Sequence, residues 1–396
     1  MKTIIKNVVS RLILVLVILI GFNVLYKKEF YDADVQKYSR VKNRIDSAFQ
    51  YGDIVYLGES SNTSYNPWTD TLKESISDFL QLYLPGKRIE AVTHESYHPG
   101  LFRQMLNLHP NNRGLFEFMA PNDDITIVLG VNIRTCGPTA VFSGNEASNQ
   151  QEALFYSKRP SLLTRLFMSL KYYDHRDALE MERLKFQWWR SVDISGEGSV
   201  SDTFRISNKY ETAKRWIDDL ASDQRPELPV QVKNMADAYV KEFAFLLDDN
   251  NVRVQDLKEI VEICNKLSVN LIFHILPPNI HHAEGLFGNQ LKQYLDYNYS
   301  FLKKRFANWG VTVVDNYNLP EANEKLSRFT DQWYPTEHYD GAIRKAIAKS
   351  LVPIIEGQKS QLKDVFPSRN NEPNFNIKMP YSDSLIGVWK QAKGLK

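Results

Sequence analysis

Cysteine is nearly absent: the chain has 396 residues and two cysteines, Cys136 and Cys264. Two thiols cannot build a disulfide framework or a four-cysteine zinc site. Charge of one sign is lacking as well, with 49 Lys and Arg against 47 Asp and Glu and a net charge of +2. That balance removes the electrostatic case for a nucleic-acid partner. There is no internal repeat, and no small-x-small cleavage motif follows the first apolar run, where Gly21-Phe22-Asn23 is a poor substitute. What remains is an ordinary globular composition, 43% hydrophobic and 24% charged, which excludes a disordered or collagen-like chain. Aromatics are plentiful at 12%; such side chains build cores and also line sugar and lipid sites, so their number alone decides nothing.

Leu12 to Tyr26 is uncharged and broken only by Gly21 and Asn23. Lys2, Lys6 and Arg11 precede it, and Lys27 and Lys28 follow. A helix of this run alone is roughly 22 Å long, short of a ~30 Å hydrocarbon core. Val8, Val9 and the snorkelling stems of Arg11 and Lys27 close that gap. A cleaved signal peptide competes with a membrane anchor, and the missing cleavage site favours the anchor. Either way the rest of the chain is exported. The basic residues ahead of the run favour an N-terminus in the cytoplasm. The expected organisation is a cytoplasmic tip and transmembrane anchor over residues 1–29, a polar helical stalk over 30–50, a main domain over 51–357 and a polar tail over 358–396. The main domain is expected on the periplasmic or extracellular side of the cytoplasmic membrane.

Five short runs, Asp53–Leu57, Ile89–Thr93, Ile125–Val131, Val269–Ile275 and Val311–Asp315, are rich in Val and Ile and bounded by turn residues. Such runs suit the buried strands of a parallel sheet. Helical patterns lie between them, including Thr69–Tyr83 and Leu257–Leu267. The alternation predicts a doubly wound α/β sheet, flavodoxin-like, with three layers and five parallel strands. Residues 140–250 carry no clear strand and are read as a helical insertion containing Trp188 and Trp189. The insertion either caps the site or merely packs its aromatics.

Ligands of open α/β sheets bind beyond the carboxyl ends of the strands. Gly58-Glu59-Ser60-Ser61-Asn62 follows the first strand, Gly130-Val131-Asn132 ends the third, and Glu337-His338-Tyr339-Asp340 follows the fifth. Ser60, Asn132 and His338 can converge there as nucleophile, oxyanion donor and general base. With these residues the chain resembles the SGNH (GDSL-like) hydrolase superfamily over roughly residues 50–355. Gly58-Glu59-Ser60 looks like its first block, with Glu59 where Asp is usual. Gly130-Val131-Asn132 looks like the glycine-x-asparagine block, Gly100 like the intervening glycine and His338 like the last block. The anchor and exported domain are similar to proteins that work beside membrane-bound O-acyltransferases, of the alginate O-acetylation and teichoic acid D-alanylation types. The resemblance implies serine-dependent acyl transfer to a cell-surface glycan, with a polytopic membrane acyltransferase as a possible partner and no cofactor or metal. It implies an oxyanion hole from the N–H groups of Ser60 and Gly100 and the Asn132 amide. The alternatives are an SGNH-type esterase or deacetylase and a non-catalytic glycan-binding partner.

One departure stands out. Family members usually carry an Asp three residues before the histidine, and here that position is Pro335. Asp331 lies seven residues before His338 and Glu337 one before. Either could orient the imidazole, or a backbone carbonyl could do so in a Ser-His dyad. Asp331 is the first choice, since Glu337 points away if the backbone is extended.

Each residue also has an ordinary explanation. A Gly-x-Ser is common, an Asn after a strand is usually a turn or cap, and a His before a helix is usually on the surface. It is their order after successive strands that argues for a site. His94-Glu95-Ser96-Tyr97-His98 matches H-E-x-x-H, but that motif needs a helix, and Pro99 disfavours one at His98. His98 remains a candidate for the cleft. Arg134, and His281 with His282 past the fourth strand, are candidates for substrate contact; Arg134 is equally a salt-bridge partner. Cys136 and Cys264 fall at opposite ends of the sheet and are expected not to pair.

Overall fold

Five apolar runs become five strands: β1 (Ile54–Gly58), β2 (Ile89–Thr93), β3 (Thr126–Val131), β4 (Asn270–Ile275) and β5 (Thr312–Asp315). They form one sheet in the order β2-β1-β3-β4-β5, and every pair in it is parallel. The structure is a computed structural model and describes residues 2–29, 40–66, 70–94, 97–106, 125–137, 140, 239–240, 242–279, 290–323 and 337–357. Trp188, Trp189, most of the expected insertion, His281, His282, Asp331 and the tail 358–396 lie outside those residues.

Alternation along each strand sends neighbouring side chains to opposite faces. Val55, Leu57, Ile127, Leu129, Phe273 and Val313 enter one core. There they meet α2 (Arg40–Tyr51), α5 (Pro99–Leu106), α6 (Val252–Lys266) and α7 (Gln290–Trp309). Ile54, Tyr56, Val128, Ile272 and Val314 enter the other. Its helices are α4 (Ile76–Tyr83) and α9 (Gly341–Ile355). Both faces of the central strands are therefore dry, which is why β1 and β3 are almost wholly apolar and not alternating. The short helices α3 (Ser60–Thr63) and α8 (Pro320–Asn323) sit just past β1 and β5.

The N-terminal helix α1 runs unbroken from Lys2 to Glu29, within the bounds expected for the anchor segment, and its stretch long and apolar enough to cross a membrane is Ile4–Tyr26, 23 residues or about 35 Å. Three other boundaries differ from expectation, each for a local reason. The expected stalk ends earlier than residue 50, because α2 buries Ile45, Ala48 and Phe49 in the core and Arg44 donates to the Thr93 carbonyl at 2.7 Å. Helix α4 starts at Ile76, not at residue 69, because Ser75 and Asp78 close a capping box there. At the far end of the expected insertion, Phe243, Ala244, Phe245, Leu246 and Leu247 are buried core residues, so the main domain resumes before residue 250.

The packing of α2 can be tested directly. Phe49→Ala should lower stability by about 3–4 kcal/mol, the usual loss for a truncated buried aromatic, read from urea unfolding. A stalk residue would give no change, and that result would remove α2 from the domain.

Candidate active site

Parallel pairing ends β1, β3, β4 and β5 at one edge of the sheet, and the residues that follow them meet there. β1 ends at Gly58, where a Cβ would lie 2.7 Å from the Tyr56 ring, so the close approach demands glycine without any unusual backbone angle. Glu59 follows in extended conformation and Ser60 opens α3. Helix α3 is held from one side by Asn62, whose amide donates to Ser77 Oγ and accepts from the Ser77 N–H, both at 3.0 Å. On the other side of the edge, Asp340 caps α9 by accepting from the Ile343 N–H at 2.9 Å. The preceding Tyr339 donates its hydroxyl to the Pro277 carbonyl, also at 2.9 Å, just past β4. The segment that follows His338 is thus fixed, and His338 Nε2 lies 3.1 Å from Ser60 Oγ.

Asn132 is buried at the end of β3. Its carbonyl oxygen accepts from the Arg134 N–H at 2.9 Å and caps the 3-10 turn Ile133–Cys136. Its amide nitrogen donates to the Glu59 carboxyl, the neighbour of Ser60. One end of the side-chain amide thus caps the turn and the other is held by Glu59.

Behind these residues lies a buried charge network. Arg134 Nε reaches the two oxygens of Glu337 at 2.8 and 2.9 Å, and its Nη1 lies 3.9 Å from Glu242. Burial works against the Arg134 charge, but Glu337, Glu242 and Glu59 outweigh it and hold the guanidinium above its ordinary value. Burial, reinforced by Glu337, pushes the Glu59 carboxyl up to about 8, against the pull of Arg134 and Asn132. Sequence reasoning weighed Arg134 as a salt-bridge or a substrate residue; its observed carboxylate partners are Glu337 and Glu242. The Glu337 carboxylate turns to Arg134, while Asp331, the first choice for orienting the histidine, lies outside the described residues.

Gly100 and His98 lie beside each other, next to Arg253 and Asp256 of α6 and near Arg103 of α5. A Cβ on Gly100 would meet Arg253 Nη1 at 2.5 Å, Asp256 Oδ2 at 2.8 Å and His98 Cε1 at 3.1 Å. Burial, with Arg253 and Arg103 nearby, holds the His98 imidazole well below its ordinary value. Neither His94 nor His98 lies on a helix, and no metal-type cluster of His, Cys, Asp and Glu occurs among the described residues. Cys136 and Cys264 are free and buried, and burial pushes both thiols up to about 12. No protein-family model matches the chain, and no curated protein does.

Two features near this edge escaped the sequence reading: the contact of Glu59 with Asn132, and Arg344, which is completely buried. Arg344 carried a signal, since Ile347, Ala348 and Leu351 share its helix stripe and a charge on an apolar stripe marks a buried partner set.

The Glu59 carboxyl sets a pH dependence. Its folded value lies above its unfolded one, so its contribution to stability is full below the ordinary carboxylate range and lost as pH rises through about 8. Glu59→Gln should therefore gain on wild type, by on the order of a few kcal/mol, between about pH 5 and pH 8. Thermal melts across that range check it; a constant difference would contradict it.

Proposed function

We propose that this chain is a membrane-anchored, exported enzyme that transfers an acyl group, through an ester on Ser60, to hydroxyls of a cell-surface glycan. The observation that carries the reading is the 3.1 Å contact between Ser60 Oγ and His338 Nε2 at the carboxyl edge of the sheet. A base at hydrogen-bond distance is what a serine hydroxyl needs to become a nucleophile. The strand order β2-β1-β3-β4-β5, with helices on both faces, supports the finer reading of a flavodoxin-like three-layer domain. The block residues Ser60, Gly100, Asn132 and His338 support the SGNH resemblance.

In this reading Ser60 Oγ attacks the acyl carbonyl while its proton passes to His338 Nε2. The Asn132 amide and the N–H groups of Ser60 and Gly100 stabilise the oxyanion. The tetrahedral adduct collapses, the donor's oxygen leaves with the proton from His338, and the acyl group stays on Ser60 as an ester. A sugar hydroxyl then gives its proton to His338 and attacks the ester. Collapse returns the proton to Ser60 Oγ and releases the acylated glycan. Asp331 is the acid assigned to orient the imidazole. No cofactor enters the sequence of steps. Helix α1 keeps the domain at the cytoplasmic membrane, on its outer side, within reach of a lipid-linked donor or a polytopic acyltransferase.

A fluorophosphonate probe should label Ser60, and Ser60→Ala should remove the label. His338→Ala should abolish turnover with the fold intact, and Asn132→Ala should cost about 10²–10³ in rate. Asp331→Asn should cost more than Glu337→Gln. Hydrolysis of p-nitrophenyl acetate should be slow, and the right glycan should divert the acyl group to sugar hydroxyls, seen as a mass gain. Rapid hydrolysis without transfer would make the protein an esterase; no labelling at all would refute the acyl-enzyme.

A further inference from the structure

Arg344 is the most thoroughly buried cation of α9, with no exposed surface. A guanidinium taken out of water needs acceptors for its donors. Here they are four backbone carbonyls. Nε donates to Glu74 at 2.9 Å and Nη2 to Leu72 at 2.7 Å. Nη1 donates to two carbonyls, Ser64 at 2.7 Å and Tyr339 at 2.5 Å. Asp70 Oδ2 lies 3.6 Å away and balances the charge.

The identity of the two carbonyls that share Nη1 matters. Ser64 closes α3, and its N–H donates to the Ser60 carbonyl at 2.8 Å. Tyr339 directly follows His338. One side-chain nitrogen therefore ties the turn that carries Ser60 to the segment that carries His338, and both of its acceptors are backbone carbonyls. Backbone acceptors cannot turn away by a change of rotamer, so the guanidinium is the single movable part of the tether. Close packing backs the tether: a Cβ on Gly341 would lie 2.3 Å from Leu72 Cβ, so Leu72 sits directly on the first turn of α9.

We propose that Arg344 is a positioning residue that sets the distance between Ser60 Oγ and His338 Nε2. The proposal rests on the reading of these two as the reacting pair. A planar fork is required, because the four carbonyls approach from different directions and a lysine ammonium, a single point donor, cannot reach them all. Removing the fork leaves Ser60 and His338 present but free to drift apart, and a misplacement of about 1 Å costs about 10²-fold in rate.

The test uses the full chain in detergent with Arg344→Gln, Arg344→Lys and, for chemical rescue, Arg344→Ala. The rate of fluorophosphonate labelling at Ser60 should fall about 10²-fold in Arg344→Gln and less in Arg344→Lys. The loss should fall on kcat with p-nitrophenyl acetate, leaving KM nearly unchanged. Low millimolar guanidinium should partly restore labelling in Arg344→Ala, which a general loss of fold would not permit. The imidazole nitrogen NMR signals of His338 read the contact without any acyl chemistry and should move in Arg344→Lys. Folded variants labelled at the wild-type rate would overturn the proposal. If Arg344→Gln does not fold, Arg344→Lys decides by the same rate. If wild type itself is not labelled, the acyl reading fails, and the NMR signals decide alone: moved signals support the positioning role and unmoved signals overturn it.

Discussion

Parallel pairing is the constraint on which the site depends. Ser60 and His338 stand 278 residues apart and touch only because β1, β3, β4 and β5 all end at one edge. In an antiparallel sheet, consecutive strand ends alternate between edges and these residues would be divided between them. The register is equally demanding. β1 pairs with β3 through Leu57 and Leu129, and continuing that register puts Glu59 beside the end of β3, within reach of the Asn132 amide. A slip of one residue would exchange the two faces of a strand and send its core side chains to the wrong helices.

The edge is also where the fold tolerates buried charge. Glu59, Glu337 and Arg134 lie within a single network, and Arg344 lies in a second. Buried ion pairs add little net stability, because desolvation offsets the attraction, but loss of one partner leaves a charge uncompensated. Such a network is better understood as a device for geometry. Arg134 connects the end of β3 to the residue before His338, and Arg344 connects the residue after His338 to the end of α3. The histidine is thereby braced from both sides by guanidinium groups whose planar forks resist small displacements.

Helix boundaries show how far local pattern reaches. Leu72, Ile76, Phe79 and Leu80 fit one helical stripe, yet the helix begins only at Ile76, since Ser75 and Asp78 cap it. Leu72 instead packs against Gly341 in the loop that Arg344 holds. Residues 40–51 are polar enough to pass for a stalk, and only the burial of Ile45, Ala48 and Phe49 joins them to the core. Periodicity identified a helix in each case; what the helix touches was a matter of tertiary contact.

The amino-acid sequence by itself determined the five strands, the α/β alternation and the apolar N-terminal helix, because period and apolar run length are local properties of the chain. It also put Ser60 and Asn132 just beyond strand ends and His338 just ahead of the last helix, because turn and capping residues mark where elements stop and start. The tertiary structure alone decided strand order, the Glu337–Arg134 pairing, the Asn132–Glu59 contact and the four carbonyls around Arg344. Those depend on which strands become neighbours and which groups lose water together, and both are set by the whole chain's packing, which no single segment encodes.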